Sequence, residues 1–187
     1  RFGTVHVVGS NNSWLPWTGN TVPTTAQAAE YAARNEANVE WLERIFDEAR
    51  DDRARAVVIG IQADMWDPFF VGANDQPLAY DHFTDFVQTL ARESRRFGKP
   101  VLLINGDSHV FTDDFPLSSS APAYLRTMYG VTSPVNNLHR ITTNGSTTAC
   151  HEWLKLTVDA STSAVFSYQR IRLDVQPGFD PNVCPAG

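Results

Sequence analysis

Between Lys99 and His109 the chain reads Lys-Pro-Val-Leu-Leu-Ile-Asn-Gly-Asp-Ser-His. Val101 to Ile104 is a short, unbroken apolar run punctuated by Pro100 and Gly106. A run of this kind is expected of a strand covered on both faces, because an exposed face would show alternation. Its C-terminal end delivers a carboxylate, Asp107, and an imidazole, His109, two residues apart. In α/β proteins that end of a strand is where ligands are held.

The segments before it repeat the same logic. Phe2 to Val8 reads as a first strand, ended by the turn cluster Gly9-Ser10-Asn11-Asn12-Ser13. From Thr24 or Thr25 to about Arg50, Val39, Leu42, Ile45, Phe46 and Ala49 recur at helical spacing, with acidic residues on the rest of the circumference. Ala56 to Ile61 reads as a second strand, and it too ends in a polar cluster, Gln62 to Asp67. A long loop then leads to Asp81, placed to cap a second helix striped by Phe83, Phe86, Val87, Leu90 and Ala91. Arg92, Arg95, Arg96 and Lys99 crowd the end of that helix, where cations suit its dipole. His82 reads as surface.

After the third strand, Val110 to Asn137 is irregular and polar, with one helical turn or an edge segment over Tyr124 to Gly130. The period then changes to two in the stretches 137–143, 153–158 and 165–171, with turn signals between them. The expected order is therefore β-α-β-α-β followed by an antiparallel meander. That makes one α/β domain over 1–176 with a mixed sheet, and a tail over 177–187.

The net charge of −6 argues against a nucleic-acid backbone as partner. No apolar run is long enough to span a membrane. Of the two cysteines, Cys150 and Cys184, a bridge and a pair of buried thiols are both open, and a secreted or periplasmic protein with a disulfide is the expectation.

Strand-Gly106-Asp107-Ser108-His109, preceded by strand-Gly60-Ile61-Gln62-Ala63-Asp64, resembles the C-terminal half of the calcineurin-like metallophosphoesterases. The resemblance implies a mixed β-sheet sandwich flanked by helices, with the N-terminal half of the fold absent. It places His109 at a histidine that binds the first metal, and Asp107 where the family has a histidine for the second. Gln62 falls where the family has a lone metal-binding histidine. The metal-ligand set implied is thus His109, Asp107 and Gln62, with Asn11, Asn12 and Asp64 as substrate contacts at the same rim. The implied cofactor is a divalent ion (Mn, Fe, Zn or Mg), and the implied substrate is a small phosphate mono- or diester.

A dinuclear centre needs ligands beyond these, because a catalytic metal takes about three protein ligands and an open position. The expectation is a metal-dependent phosphoesterase-like hydrolase that is inactive as this portion alone. The alternative is a non-catalytic binding or scaffold relative that kept the fold and lost the metals. A missing N-terminal half, or another chain, is expected to cover the first strand, since Arg1 reads as a processing boundary and an open sheet edge invites pairing. A carbohydrate-binding surface built on Trp14, Trp17 and Trp66 is a third expectation.

Overall fold

The computed structural model describes residues 1–67, 80–145 and 152–172. The expected α/β class is what it shows. Strands β1 (Phe2–Thr4), β2 (Val57–Gly60), β3 (Val101–Asn105), β4 (Thr112–Asp114) and β5 (Leu138–Thr142) form a mixed five-stranded sheet in the order β1-β2-β3-β5-β4. The first four in that order run parallel, and β4 is antiparallel on the far edge. Val58 pairs with Phe2 on one side and Leu102 on the other, and Leu102 pairs in turn with His139. The C-terminal ends of β1, β2 and β3 therefore lie side by side.

Two helices, α1 (Thr25–Asp51) and α2 (Thr84–Phe97), pack on one face. Thr24 caps α1 by accepting the Gln27 N–H at 3.1 Å. Leu42, Ile45, Phe46 and Ala49 of α1 then meet Phe86, Val87 and Leu90 of α2 over Val57, Ile59 and Leu103 in one buried cluster. Glu93 of α2 is buried and takes Arg50 of α1 at 2.9 Å and Arg92 at 3.1 Å. Gly98 closes α2 with φ +68, a left-handed cap that a residue without Cβ adopts at least cost.

The opposite face carries a two-stranded antiparallel sheet, β6 (Glu152–Val158) and β7 (Phe166–Arg172). Leu154 and Leu156 of β6, with Phe166 and Tyr168 of β7, pack on Val58, Leu102 and Ile141. A single short helix, α3 (Tyr124–Thr127), interrupts the crossover from β4 to β5.

Three expectations are corrected. Residues 137–143 do not begin a meander: β5 is parallel to β3 and central to the sheet, reached through a crossover of ample length. Its polar letters suggested a half-exposed strand, but Arg140 and Thr142 are buried with partners, Thr142 Oγ1 donating to Asn105 Oδ1 at 3.0 Å. The first strand ends at Thr4, although Val5 and Val7 stay buried and the Val7 carbonyl accepts the N–H groups of Gln62 and Ala63. Asp81 does not cap α2. It opens a 3₁₀ turn, Asp81–Phe83, and α2 starts at Thr84 without a side-chain cap.

β1 is an edge strand, bonded on one side to β2, with Phe2 63% exposed. No helix among the described residues is long and apolar enough to cross a membrane. Cys150, His151 and Cys184, and the tail 177–187, lie outside the described residues.

Candidate functional site

The rim is assembled from three strand ends. After β1, Ser10, Asn11, Asn12 and Ser13 form a left-handed turn with φ between +54 and +61. Each L-residue held there costs roughly 1–2 kcal/mol, so the surroundings must fix it. They do so through the side chains. Asn12 Oδ1 accepts Arg34 Nη1 at 2.5 Å, and its Nδ2 donates to the His82 carbonyl at 3.1 Å. Asn11 Nδ2 donates to Asp81 Oδ1 at 2.8 Å, and its Oδ1 accepts the His82 N–H at 3.1 Å. Gln27 donates to the carbonyls of Ser13, Trp14 and Leu15.

His82 belongs to this lock and is half-buried rather than fully exposed. Its ring stacks on Trp14 with centroids 4.0 Å apart and meets the edge of Tyr31 at 4.8 Å. Its Nδ1 lies 2.6 Å from Asp81 Oδ1. Burial alone would push the Asp81 carboxyl up; the bonds from Asn11 and His82 outweigh it and hold the group below its ordinary value.

The ends of β2 and β3 meet through Gln62. Its Oε1 accepts the Gly9 N–H at 2.6 Å and its Nε2 donates to Asp107 Oδ1 at 2.8 Å, so one amide links the exits of all three strands. Gly9 is required by close approach: a Cβ there would lie 2.5 Å from Asp107 Oδ2. Asp107 and His109 are themselves left-handed, with φ +73 and +62. Ser108 between them donates to buried Asp64 Oδ2 at 2.7 Å.

Asp64 is the buried anchor of the loop. Its Oδ1 accepts the Trp66 N–H at 2.9 Å and Arg140 Nη1 at 2.7 Å. Arg140 also forks onto Asp114 at 2.8 and 2.7 Å and lies 5.3 Å from the Trp66 ring. Burial opposes the charge on Arg140, but Asp114 and Asp64 outweigh that and raise its pKa above the ordinary arginine value.

A cavity of about 230 Å³ opens beside this rim, lined by Asp64, Asp67 and Asp107 together with Ser10, Asn11 and Tyr80. Burial first, then the charges of Asp67, Asp64 and Asp107, raise the Tyr80 phenol well above its ordinary value, so it stays a hydroxyl. The cavity is thus acidic among its described lining residues, and the arginine bonded to its Asp64, Arg140, is shared with a second carboxylate, Asp114.

Of the residues expected at the site, Gln62, Asp107, Asn11 and Asp64 come together here. Asn12 is fully buried in the lock behind the turn. His109 goes the other way: a Cβ on Gly145, beyond β5, would fall 2.0 Å from its Nδ1, so its ring lies against that glycine, while Asp107 leans toward β1 and β2. Among the described residues no group of three or more His, Cys, Asp or Glu is placed to hold a metal ion. Of the three tryptophans expected to form a surface, Trp17 is 43% exposed, whereas Trp66 is 3% exposed and donates to the Leu125 carbonyl, and Trp14 is stacked on His82.

Arg140, Asp67 and Tyr80 were not singled out by sequence. Asp67 stood inside the polar cluster after the second strand, but a buried arginine in a period-two segment carries no local signal. Comparison with family models, curated proteins and solved structures finds no match.

Proposed function

We propose that this chain is the C-terminal portion of a metal-dependent phosphoesterase-like hydrolase with a metallophosphoesterase-like fold, acting on small phosphate mono- or diesters outside the cytoplasm. The observation that carries the reading is the meeting of three strand ends at Gln62 and Asp107 beside an acidic cavity. A phosphoester anion is repelled by a wall of carboxylates unless a cation stands between them. Hydrolysis at this rim therefore calls for a divalent ion, with Asp107 as an oxygen ligand suited to a hard cation. His109 and Gln62 would have to leave their present neighbours to join it. The remaining ligands, and the cover for the edge strand β1, are supplied by a segment outside these residues, so the portion alone is inactive.

The test is calorimetric titration with Mn²⁺, Fe²⁺, Zn²⁺ and Mg²⁺, with turnover of aryl phosphate mono- and diesters, on a longer product of the same gene. Metal binding at micromolar levels and turnover abolished by Asp107→Ala support the reading. Neither metal binding nor turnover in that product overturns it. The second reading is a non-catalytic relative acting as a binding or scaffold module. It is favoured by the Gln62 amide, which uses both its ends to clasp Gly9 and Asp107 where a metal-binding imidazole would stand.

A further inference from the structure

At the end of the sheet opposite the rim, a second cavity of about 420 Å³ lies where β3, β5 and β7 begin. That volume is in the range of small-molecule sites, which combine an apolar lining with a few convergent polar groups. Pro100, Val101, Phe115, Ala164 and Phe166 supply the apolar lining. The Phe115 ring lies parallel to His139, with centroids 4.7 Å apart and 10° between planes, and is 43% exposed. The wall is therefore flat, aromatic and open.

It is also held rigidly. His139 sits in β5, and its Nε2 meets Asp113 Oδ1 on neighbouring β4; Tyr168 of β7 donates to Asp113 Oδ2. The carboxylate of Asp113 is satisfied behind the ring. His139 Nδ1 has no hydrogen-bond partner among the described residues.

Val165, between two lining residues, has φ +63. A β-branched residue is a true outlier in that region, and such strain collects where a chain must present groups to a ligand. It is fixed by Thr162 Oγ1, which accepts the Val165 N–H at 3.1 Å, and by the Asp159 N–H donated to the Val165 carbonyl at 2.8 Å.

The polar groups at the mouth have one sign. Lys99 lines the cavity, and no carboxylate does among the described lining residues. Lys99 Nζ donates to the Ala54 carbonyl at 2.7 Å and stands 5.5 Å from the Phe97 ring centroid, with two of its three donors not used in a hydrogen bond among the described residues. Asn136 uses its Oδ1 to accept from Ser119, and its amide nitrogen has no hydrogen-bond partner among the described residues.

We propose that this cavity binds a small planar aromatic anion, an arylcarboxylate in kind, with its ring on Phe115 and Phe166 and its acid group toward Lys99 and Asn136. The site is separate from the strand-end rim and stands whether or not a phosphoesterase reading of that rim holds.

The experiment titrates the 187-residue chain with 2-naphthoate, followed by its fluorescence and by amide chemical shifts. The cation 2-naphthylmethylammonium is the control. Saturable binding of naphthoate with Kd below about 1 mM is expected, with the cation at least about tenfold weaker. Phe115→Ala removes an exposed ring and is expected to weaken naphthoate about tenfold. Lys99→Met, at an exposed position, is expected to erase the preference for the anion with the fold intact by circular dichroism. If Phe115→Ala fails to fold, Lys99→Met alone decides the matter through ligand charge. Absence of saturation at 1 mM, equal affinity for the two ligands, or unchanged charge preference in Lys99→Met overturns the proposal.

Discussion

Replacing Arg140 by methionine tests how the rim is held. The side chain of Arg140 is 4% exposed and that of Asp64 fully buried, and their bond is 2.7 Å. Removing one member of a buried ion pair costs about 3–5 kcal/mol, because the other charge is left without compensation. Here Asp64 keeps two donors, the Ser108 hydroxyl and the Trp66 N–H, and Asp114 is 32% exposed and can rehydrate. The loss should therefore fall at the lower end, about 3 kcal/mol. With a urea m-value of roughly 2 kcal/mol/M, that moves the unfolding midpoint down by roughly 1.5 M. Asp64→Asn in the same background removes both charges, so the double variant should be more stable than the sum of the singles by about 2 kcal/mol. The measurement is a double-mutant cycle by urea denaturation followed by tryptophan fluorescence. A midpoint shift under roughly 0.5 M for Arg140→Met, or strict additivity in the cycle, would refute the reasoning.

Other perturbations address the remaining contacts. Gly9→Ala places a Cβ 2.5 Å from Asp107 Oδ2, so the Asp107 carboxylate must shift and its bond with Gln62 is disturbed; a loss of about 1–3 kcal/mol is expected in thermal unfolding, with amide shifts confined to the strand ends. Trp14→Ala removes the stack on His82 and the edge contact with Tyr31; the left-handed turn should lose hydrogen-exchange protection before β2 and β3 do. The Tyr31 phenol is pushed up to about 12, chiefly by burial, then by Asp85 and Asp81. A pKa raised in the folded state stabilises fully below the unfolded value near 10 and is lost as pH rises toward 12. Tyr31→Phe should accordingly flatten the alkaline fall in stability across that window, and an unchanged fall would count against it.

Much of the scaffold is legible in the residues because it rests on local periodicity. The apolar runs at 57–60 and 101–104 and the stripe Leu42, Ile45, Phe46 each carry their own pattern, so their elements appear where expected. The polar clusters after the second and third strands likewise marked Gln62 and Asp107. Resemblance suggested more than periodicity could, and its His109 stands apart from the cavity beside Asp107.

What local pattern could not carry is the compensation of polar groups at long range. Arg140 is 76 residues from Asp64, and only their meeting turns a polar letter in β5 into a buried one and the strand into a central parallel one. Asn11, Asn12 and His82 read as turn and surface residues until the packing of α1 against the 3₁₀ turn closes them into a lock. Apolar spacing determined which segments are strands and helices, because burial of a stripe is a property of the segment itself. Which charges are paired, which backbone strain is tolerated and where the cavities open were decided by tertiary structure, because each depends on a partner distant in sequence.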